Sequence, residues 1–515
     1  MANEEYSNDE KDNVDNEMDV VEESSNDDEE VDTEASATSR VYLPSAGKKD
    51  EELEYDESAY VFYYAVRTGS PCLSFDIIPD NLGDNRADQF PLSMTLVGGT
   101  EVKNRGNNNL LIMKLSNMQK TKTPKSDDES DSDSDSDEIT PDLEALTVRH
   151  MGCVNRVKRT NLGGEPYAAS WSELGKVHIW NLSQPVSAVN NSQLMVAYKM
   201  QNETVEPTFT FSGHQMEGFS MEWSPLITGV LATGDCKSSI HVWKPLEGGS
   251  WHVDQRPYKA HTDSVEDIAW SPNESNVMAS CSVDKSIRIW DIRAPPNKAC
   301  MLTKADAHDS DVNVISWNKS GPFILSGGDD GKLRVWDLKQ FPSSEPVCTF
   351  KYHTAPITSV EWHPTDNSVF AAASSDDLLT QWEVAVERDE SEEEEQQLRD
   401  IPAQLLFIHQ GQKEIKELHW HPQMPGVLIS TAQEGLNVFR TIMSLISCKC
   451  IGSNDFFEKI VVYLLPGINI ELILLFKRKL NSCFYFLKAD FRKEIAMNPH
   501  LIKIKAEIDL IYGCY

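Results

Sequence analysis

The amino-acid sequence predicts an all-β fold, a closed propeller of seven blades, from three observations. A unit of about 46 residues recurs through the middle of the 515-residue chain. Each copy begins with a histidine and ends about 29 residues later on an aromatic side chain, usually Trp. The segment before that Trp alternates apolar and polar residues, as in residues 286–290, which is typical of a β-strand. Units of this length and ending are the signature of WD repeats, which build propellers blade by blade.

Five copies of the unit are clear, and their closing aromatics lie 47, 46, 46 and 57 residues apart. The longest interval contains an acidic insertion at residues 387–400. The copies run from His214 to Trp243, from His261 to Trp290, from His308 to Trp336, from His353 to Trp382 and from His409 to Phe439. Five blades are therefore predicted in residues 214–440.

An Asp lies six residues before the closing Trp in three copies, at the predicted turn into the last strand. In WD repeats, which these units resemble, that Asp accepts a hydrogen bond from the histidine, and a Ser or Thr links the histidine to the Trp indole. The candidate network residues are His261, Ser280, Asp284, Trp290, His308, Ser326, Asp330, Trp336, His353, Asp376 and Trp382. Ser, His and Asp also form hydrolase triads, but recurrence every 46 residues indicates a structural role because an enzyme needs only one site.

Two further units complete the ring. Residues 150–180 end on Trp180 but have Leu174 at the Asp position, which predicts that the polar network is lost there. The units that end at Trp243 and Phe439 have Lys237 and Gln433 at that position. Upstream, residues 72–78, 92–99 and 110–115 have the pattern of three strands of another blade, which gives seven blades in residues 71–442.

An N-terminal helix is expected ahead of the propeller, within residues 51–70. Its helical part is Glu52–Arg67, and Gly69 and Pro71 mark its end. Its aromatic side chains are Tyr60, Tyr63 and Tyr64. They form either the surface that packs on the propeller wall or one wall of a groove for a client peptide.

Three acidic tracts hold nearly all of the net charge of −35. Residues 1–58 contain 22 acidic and 4 basic side chains, residues 126–138 contain 8 and none, and residues 387–400 contain 8 and 2. Acidic polymers repel nucleic-acid phosphate and attract basic proteins, so we expect basic protein partners and no direct contact with nucleic acid. Solubility alone is the alternative interpretation. Candidate client contacts are Asp131, Asp133, Asp135, Glu392, Glu393, Glu394 and Glu395.

Residues 1–50 are expected to form a disordered acidic tail, and the propeller carries acidic insertions at 120–140 and 387–400. In the first insertion Ser126, Ser130, Ser132 and Ser134 each precede an acidic residue by three positions, the pattern of acidophilic kinase sites. Each phosphorylation would add about −1.5 to −2 charge and so tune client affinity.

Residues 60–77, 211–220 and 430–433 resemble the glutamate-rich WD-repeat protein family, and the resemblance covers about residues 40–442. That family includes the yeast regulator of ribosome biogenesis and is related to histone-binding WD proteins, which share an N-terminal helix that grips a histone. The resemblance implies a nuclear and nucleolar chaperone that delivers a basic client, the third large-subunit ribosomal protein, to pre-ribosomal particles. Core histones are the alternative client.

Arg293 supports a rival function. The run Trp290 to Arg293 looks like the Trp-Asp-x-Arg motif by which some WD proteins dock on the adaptor of a cullin-RING ubiquitin ligase. Only the arginine goes beyond the ordinary repeat pattern, so an ordinary exposed arginine is the alternative.

No phosphate-cradling glycine loop, metal-ligand cluster or isolated nucleophile–base pair is visible in the sequence, so we expect no enzyme activity, cofactor or metal. Residues 443–515 have no WD pattern and are interpreted as a non-family tail, a sequence artefact such as translated intron. A membrane anchor at 460–476 is a poor alternative because Pro466 and Glu471 interrupt a short apolar run. We therefore expect no membrane partner.

Overall fold

The computed structural model describes residues 56–102, 108–121, 141–201, 205–341, 345–386 and 401–443. Across these ranges the strands form seven antiparallel sheets of four strands each. Each sheet is one blade, and we number the blades 1 to 7 from the sheet that begins at Cys72. The predicted all-β, seven-bladed propeller is confirmed.

The strands follow one order in every blade, from the innermost to the outermost. The first strand of the chain, β1 (Tyr60–Arg67), belongs to the last blade. Blades 1 to 3 are β2 (Cys72–Ile78), β3 (Leu92–Thr100), β4 (Asn108–Met118) and β5 (Asp142–His150); β6 (Val154–Leu162), β7 (Glu165–Ser172), β8 (Lys176–Asn181) and β9 (Phe209–Phe211); and β10 (Ser220–Trp223), β11 (Leu231–Gly234), β12 (Ile240–Leu246) and β13 (Ser250–Val253).

Blades 4 to 7 continue the same order. They are β14 (Val265–Trp270), β15 (Val277–Ser282), β16 (Ile287–Asp291) and β17 (Cys300–Lys304); β18 (Val312–Trp317), β19 (Phe323–Gly328), β20 (Lys332–Asp337) and β21 (Cys348–Lys351); β22 (Ile357–Trp362), β23 (Val369–Ser374), β24 (Leu379–Glu383) and β25 (Leu405–His409); and β26 (Glu417–Trp420), β27 (Val427–Ala432) and β28 (Gly435–Thr441), with β1 as the outermost strand.

The apolar core lies between neighbouring blades. One cluster joins Ala232 and Val242 of blade 3 to Met278 and Trp290 of blade 4, and Trp290 is fully buried. A single blade would leave such a ring in water, and burying a large apolar side chain is worth about 1.5–3 kcal/mol. Closure of the ring is therefore what completes the core.

The chain closes the ring with β1, which pairs antiparallel with β28 from Tyr60 opposite Thr441 to Arg67 opposite Gly435. The predicted helix Glu52–Arg67 is wrong over this segment. Its aromatic and β-branched residues favour a strand, and without them the edge of β28 would be left unpaired. Within the described part of that segment only Glu57–Ala59 is helical, as one turn of 3-10 helix.

A helical hairpin, α1 (Ser183–Val189) and α2 (Ser192–Gln201), is inserted between the third and fourth strands of blade 2. The side-chain oxygen of Asn191 accepts hydrogen bonds from the backbone N–H groups of Gln193 and Leu194 and so caps α2. The first helix contacts β4, β5 and β7. A second 3-10 turn, Pro296–Lys298, precedes β17.

Candidate protein-binding face

One face of the propeller carries the attachment points of the acidic tracts. The first strand of each blade is innermost and successive strands are antiparallel, so connections between third and fourth strands all lie on the same face. In blade 1 this connection, β4–β5, contains residues 126–138, and in blade 6 the connection β24–β25 contains residues 387–400. We call this side the insertion face; the flanking described residues are Thr121, Pro141, Val386 and Ile401.

The N-terminal tract reaches the propeller at the same face. Tyr60 begins β1 opposite Thr441, the last residue of β28 and hence the end of a third strand. Asp56, the first described residue, therefore precedes β1 on the insertion face. The three tracts are attached to three consecutive blades, 6, 7 and 1.

Hydrogen bonds join β1, which follows the N-terminal acidic tract, to the residues that precede the acidic tract at 126–138. The Thr121 N–H donates to the Val61 carbonyl at 2.9 Å. The Tyr64 hydroxyl donates to the Gln119 carbonyl at 2.9 Å and accepts from the Gln119 N–H at 2.7 Å. Chain entry at β1 and chain exit after β4 are thus held side by side.

Tyr60 and Tyr63 tie β1 to blade 6. The Tyr60 hydroxyl lies 2.7 Å from His409 Nδ1, and its ring packs edge-on against Phe407 at 5.4 Å between centroids. The Tyr63 ring lies 5.8 Å from His409. Tyr60 is buried and Tyr63 and Tyr64 are half-buried, so the structure uses all three in joining β1 to its neighbours. A client contact through Tyr63 or Tyr64 stays a prediction.

The remaining predicted contacts lie outside the described residues. They are Asp131, Asp133, Asp135, Glu392, Glu393, Glu394 and Glu395, with the phosphorylation candidates Ser126, Ser130, Ser132 and Ser134. Residues 1–50 and 444–515, which contain the predicted tails, are outside as well.

The predicted WD network is present in blades 4 and 5. In blade 4 the His261 ring lies 3.0 Å from Asp284 and 2.7 Å from Ser280, whose hydroxyl accepts the Trp290 indole N–H at 2.8 Å. Blade 5 repeats this arrangement, at 2.9, 2.8 and 2.9 Å, with His308, Asp330, Ser326 and Trp336.

Blade 6 uses a different linker. His353 bonds Asp376 at 3.0 Å, and its other nitrogen lies 2.9 Å from Thr380, which accepts the Trp382 indole N–H at 2.7 Å. The linking hydroxyl lies on the third strand here, whereas Ser280 and Ser326 lie on the second strand of their blades.

Blade 3 has a complete network although Lys237 occupies the Asp position. Asp235, two residues earlier, bonds His214 at 2.9 Å, and Thr233 bridges His214 and Trp243 at 2.8 and 3.0 Å. The turn before β12 places residue 235, and not residue 237, beside the histidine, so a search six residues before the closing Trp does not find this Asp.

The prediction that blade 2 loses its network is wrong. Its histidine, serine and tryptophan are hydrogen-bonded as in the other blades, and only the Asp is missing. His150 bonds Ser170 at 2.9 Å and Ser170 accepts the Trp180 indole N–H at 2.9 Å. The Gly152 carbonyl, at 2.8 Å, replaces the missing Asp. Leu174 itself is 55% exposed.

The centre of the ring holds a charged cluster that sequence reasoning missed. Glu417 of β26 is buried and accepts hydrogen bonds at 2.8 Å from both Arg156 and Lys158 of β6. His419 bonds Glu361 at 2.7 Å and also faces Glu417 at 3.2 Å. These residues line a cavity of about 440 Å³ between the inner strands.

Burial and charge pull the pKa values of this cluster in opposite directions. Burial alone would raise the pKa of Glu417, but Lys158 and Arg156 hold it well below its usual range. Burial and Lys158 lower the pKa of His419, but Glu417 and Glu361 outweigh them and raise it to about 9. The pKa of Glu222 is raised to about 8, chiefly by burial. The charges thus compensate one another, which a buried ionic cluster requires.

Comparisons with known proteins give the family. Residues 50–119 match the family of the histone-binding protein RBBP4 and its counterpart in the CAF1 complex, and residues 253–291, 299–337 and 344–383 match the WD domain, G-beta repeat. "Ribosome assembly protein rrb1" of Schizosaccharomyces pombe is 40% identical over 430 residues, covering 81% of this chain and 87% of that protein. "Glutamate-rich WD repeat-containing protein 1" of Dictyostelium discoideum is 40% identical over 76% of this chain and 83% of its own length.

The chain belongs to the glutamate-rich WD-repeat family. A further relative, "Protein HEAT STRESS TOLERANT DWD 1" of Arabidopsis thaliana, is 41% identical over 78% of this chain and 91% of its own length. Each of the three segments that match the repeat model contains the first three strands of one of blades 4, 5 and 6, where the Asp lies six residues before the closing Trp.

One signal in this family member's sequence could have revealed the central cluster. Arg156, Lys158 and Thr160 alternate along β6, at positions where other inner strands carry acidic or small polar side chains such as Glu222 and Ser316. Period-two basic residues in a strand that faces the ring centre indicate buried partners. Only the ring geometry shows that Glu417 supplies them.

Arg293 follows β16 on the insertion face. Its side chain is 68% exposed, and Asp291 holds the guanidinium through hydrogen bonds of 2.6–3.0 Å. Arg256 and Asp254 form a similar pair in the β13–β14 connection, on the opposite face. Within the described residues there is no group of three or more His, Cys, Asp or Glu side chains suited to a metal ion. Neither described α-helix has the length and apolar character of a membrane-spanning segment.

Proposed function

We propose that this protein is a non-catalytic scaffold that holds a basic client during ribosome assembly, in the nucleus and nucleolus. The observation that carries the proposal is the attachment of three acidic tracts to consecutive blades on one face, where Thr121 and Val61 are in direct contact. Tethered acidic segments that share one face act on a bound cation-rich protein at high effective concentration. Their attraction also speeds the encounter.

The client is a large-subunit ribosomal protein, the third by name, and it is delivered to pre-ribosomal particles. Support comes from the relative named ribosome assembly protein rrb1. Core histones are the alternative client, and the match of residues 50–119 to the histone-binding family supports them. Both clients are basic, so charge alone does not separate the two.

Direct binding measurements test the proposal. The full chain is compared with a variant in which residues 126–138 and 387–400 are replaced by Gly-Ser segments of equal length. We expect the ribosomal protein to bind the full chain more tightly than core histones do at physiological salt. The replacement should weaken binding by about tenfold or more and flatten its salt dependence. Equal affinity of the two variants would contradict the proposal, and tighter binding of histones would favour the alternative client.

A second candidate function is substrate reception for a cullin-RING ubiquitin ligase, and it rests on Arg293. Its exposed guanidinium is held in one orientation by Asp291, which lowers the entropic cost of docking. The test is co-purification of the ligase adaptor with wild type, Arg293→Ala and Arg256→Ala proteins. This function requires adaptor binding that is lost in Arg293→Ala alone; no adaptor with wild type, or equal recovery with all three, would rule it out.

A further inference from the structure

The α1–α2 hairpin is unusually poor in charge for a surface segment. Residues 183–201 contain a single charged side chain, Lys199, in a chain of which 25% is charged. On α2, Leu194, Val196 and Met200 are 49, 53 and 79% exposed. They are three of the twelve most exposed large apolar residues in the described chain, and they fall within ten residues.

The helix has a buried side and an outward side. Met195 is buried and Tyr198 is half-buried; both pack into the core cluster shared by blades 1 and 2. Val196 and Met200 are four residues apart, and the exposed Ala197 lies three residues from both Leu194 and Met200, so these side chains adjoin one another on the helix surface. Single exposed apolar side chains are ordinary, but a continuous apolar surface on an ordered helix marks an interaction site.

The hairpin lies on the insertion face next to the attachment of residues 126–138. It connects the third and fourth strands of blade 2, and α1 contacts β4 and β5, the strands that flank that tract. Described carboxylates occur in the two strands β5 and β7 that α1 contacts, and after α2 in the chain. Asp142 and Glu144 begin β5, Glu165 begins β7, and Glu206 follows α2.

We propose that the outward face of α2 docks an amphipathic basic segment of the client. The segment's apolar side chains cover Leu194, Val196 and Met200, and its cationic side chains face the carboxylates of Asp142 and Glu144. Charge complementarity selects this occupant, because the described residues at the starts of the adjoining strands are acidic. The inference rests on the proposed function in taking the client as basic, and it adds where the client's apolar groups bind.

Two synthetic peptides of about 20 residues serve as probes. One places Leu at helical spacing among Lys residues, and the other has Ser in place of every Leu at the same charge. Their affinities are measured for the wild-type full chain and for Leu194→Ser/Val196→Ser/Met200→Ser. The matched control is Met151→Ser/Leu174→Ser/Met216→Ser, which removes three exposed apolar side chains from the opposite face.

We expect wild type to bind the Leu-containing peptide at least about tenfold more tightly than the Ser peptide, and the control to keep this ratio. In the α2 variant the ratio should fall to about one. An unchanged ratio in that variant would overturn the inference. So would sedimentation showing that wild type self-associates through α2, since a second copy would then be the occupant.

The Gly-Ser replacement of the acidic tracts separates this inference from the proposed function. If the tracts capture basic clients, their replacement weakens both peptides and leaves the Leu-to-Ser ratio unchanged. Failure of the replacement to weaken either peptide counts against the proposed function alone, and a ratio that survives the α2 substitutions counts against the docking surface alone.

Discussion

Each of blades 2 to 6 buries a histidine whose two ring nitrogens both need a partner. In blade 3 the Trp243 indole donates to Thr233, the Thr233 hydroxyl donates to His214 Nε2, and His214 Nδ1–H donates to Asp235. Burial lowers the pKa of His214, which keeps the ring neutral and fixes this order of donors. Other blades reach the same satisfied state with a serine, a threonine from another strand, or a backbone carbonyl. The requirement is pairing of buried polar atoms, and the residue that supplies it varies.

Thr233→Val tests this chain of hydrogen bonds. Valine has the shape of threonine but leaves the Trp243 indole and His214 Nε2 without a partner. Each unpaired buried group costs about 1–3 kcal/mol, so we expect the free energy of unfolding in urea to fall by roughly 2–4 kcal/mol. The matched control is Thr349→Val, on the exposed side of β21. A loss no larger than the control's would show that blade 3 does not depend on the network.

Glu222 predicts the pH dependence of stability. Burial raises its pKa in the folded protein to about 8, above the ordinary 4.5. Between these values the unfolded chain releases a proton that the folded protein keeps, so stability falls as pH rises from about 4.5 to 8.

The measurement for Glu222 is urea unfolding between pH 5 and 8.5. Wild type should lose on the order of a few kcal/mol over this range. The neutral variant Glu222→Gln should lose less, because its amide does not titrate. Parallel pH profiles for the two proteins would contradict the assignment.

Among single residues, the spacing of six positions before the closing Trp predicted Asp284, Asp330 and Asp376 but not Asp235. The reason is that the turn before the third strand can bring either position to the histidine, and spacing alone does not distinguish them. The charged cluster at the centre of the ring could not be predicted from the sequence for a different reason. Arg156 and Glu417 are 261 residues apart, and only ring closure brings them together.

The elements show how closure depends on the N-terminal segment. Blade 7 takes three strands from the end of the propeller and its fourth, β1, from the start. The repeat period predicted blades 2 to 7, and apolar alternation predicted the strands of blade 1. The aromatic run of β1 predicts a helix when read alone, because tyrosines at positions 60, 63 and 64 also fit a helical face. Its partner, β28, lies more than 360 residues away, so no local pattern identifies it.

Truncation tests the role of β1. Removing residues 1–55 should leave the melting temperature unchanged, because the described propeller begins at Asp56. Removing residues 1–67 should lower it sharply or abolish soluble expression, since β28 then has a bare edge and Phe62 no longer fills the core between blades 7 and 1. Equal melting temperatures of the two truncations would mean that β1 is not needed, and that six complete blades and a three-stranded seventh form an equally stable propeller.

For the whole molecule, the important property is that the attachment points of the acidic tracts and the exposed apolar residues of α2 share one face. The sequence located the acidic tracts in loops, and the strand order now shows that both insertions replace connections between third and fourth strands. In ring order, blades 6, 7 and 1 carry the attachment points of the three acidic tracts, and blade 2 carries the exposed apolar residues of α2. Under the proposed function, a client bound at this sector would contact several of these features at once, which would couple weak interactions through effective concentration.

Moving one tract to the other face separates position from charge. Residues 387–400 can be excised from the β24–β25 connection and inserted at Gly411. This residue lies in the next connection of the chain, β25–β26, on the opposite face. Gly411 has a positive φ of 107° and open space around it, so the insertion point is unobstructed. Net charge and composition stay the same. If the shared face matters, the transplanted chain should bind the basic client about as weakly as the chain in which residues 387–400 alone are replaced by Gly-Ser, with a correspondingly shallower salt dependence. Wild-type affinity in the transplanted chain would show that total charge is sufficient and that the common face has no part in client capture.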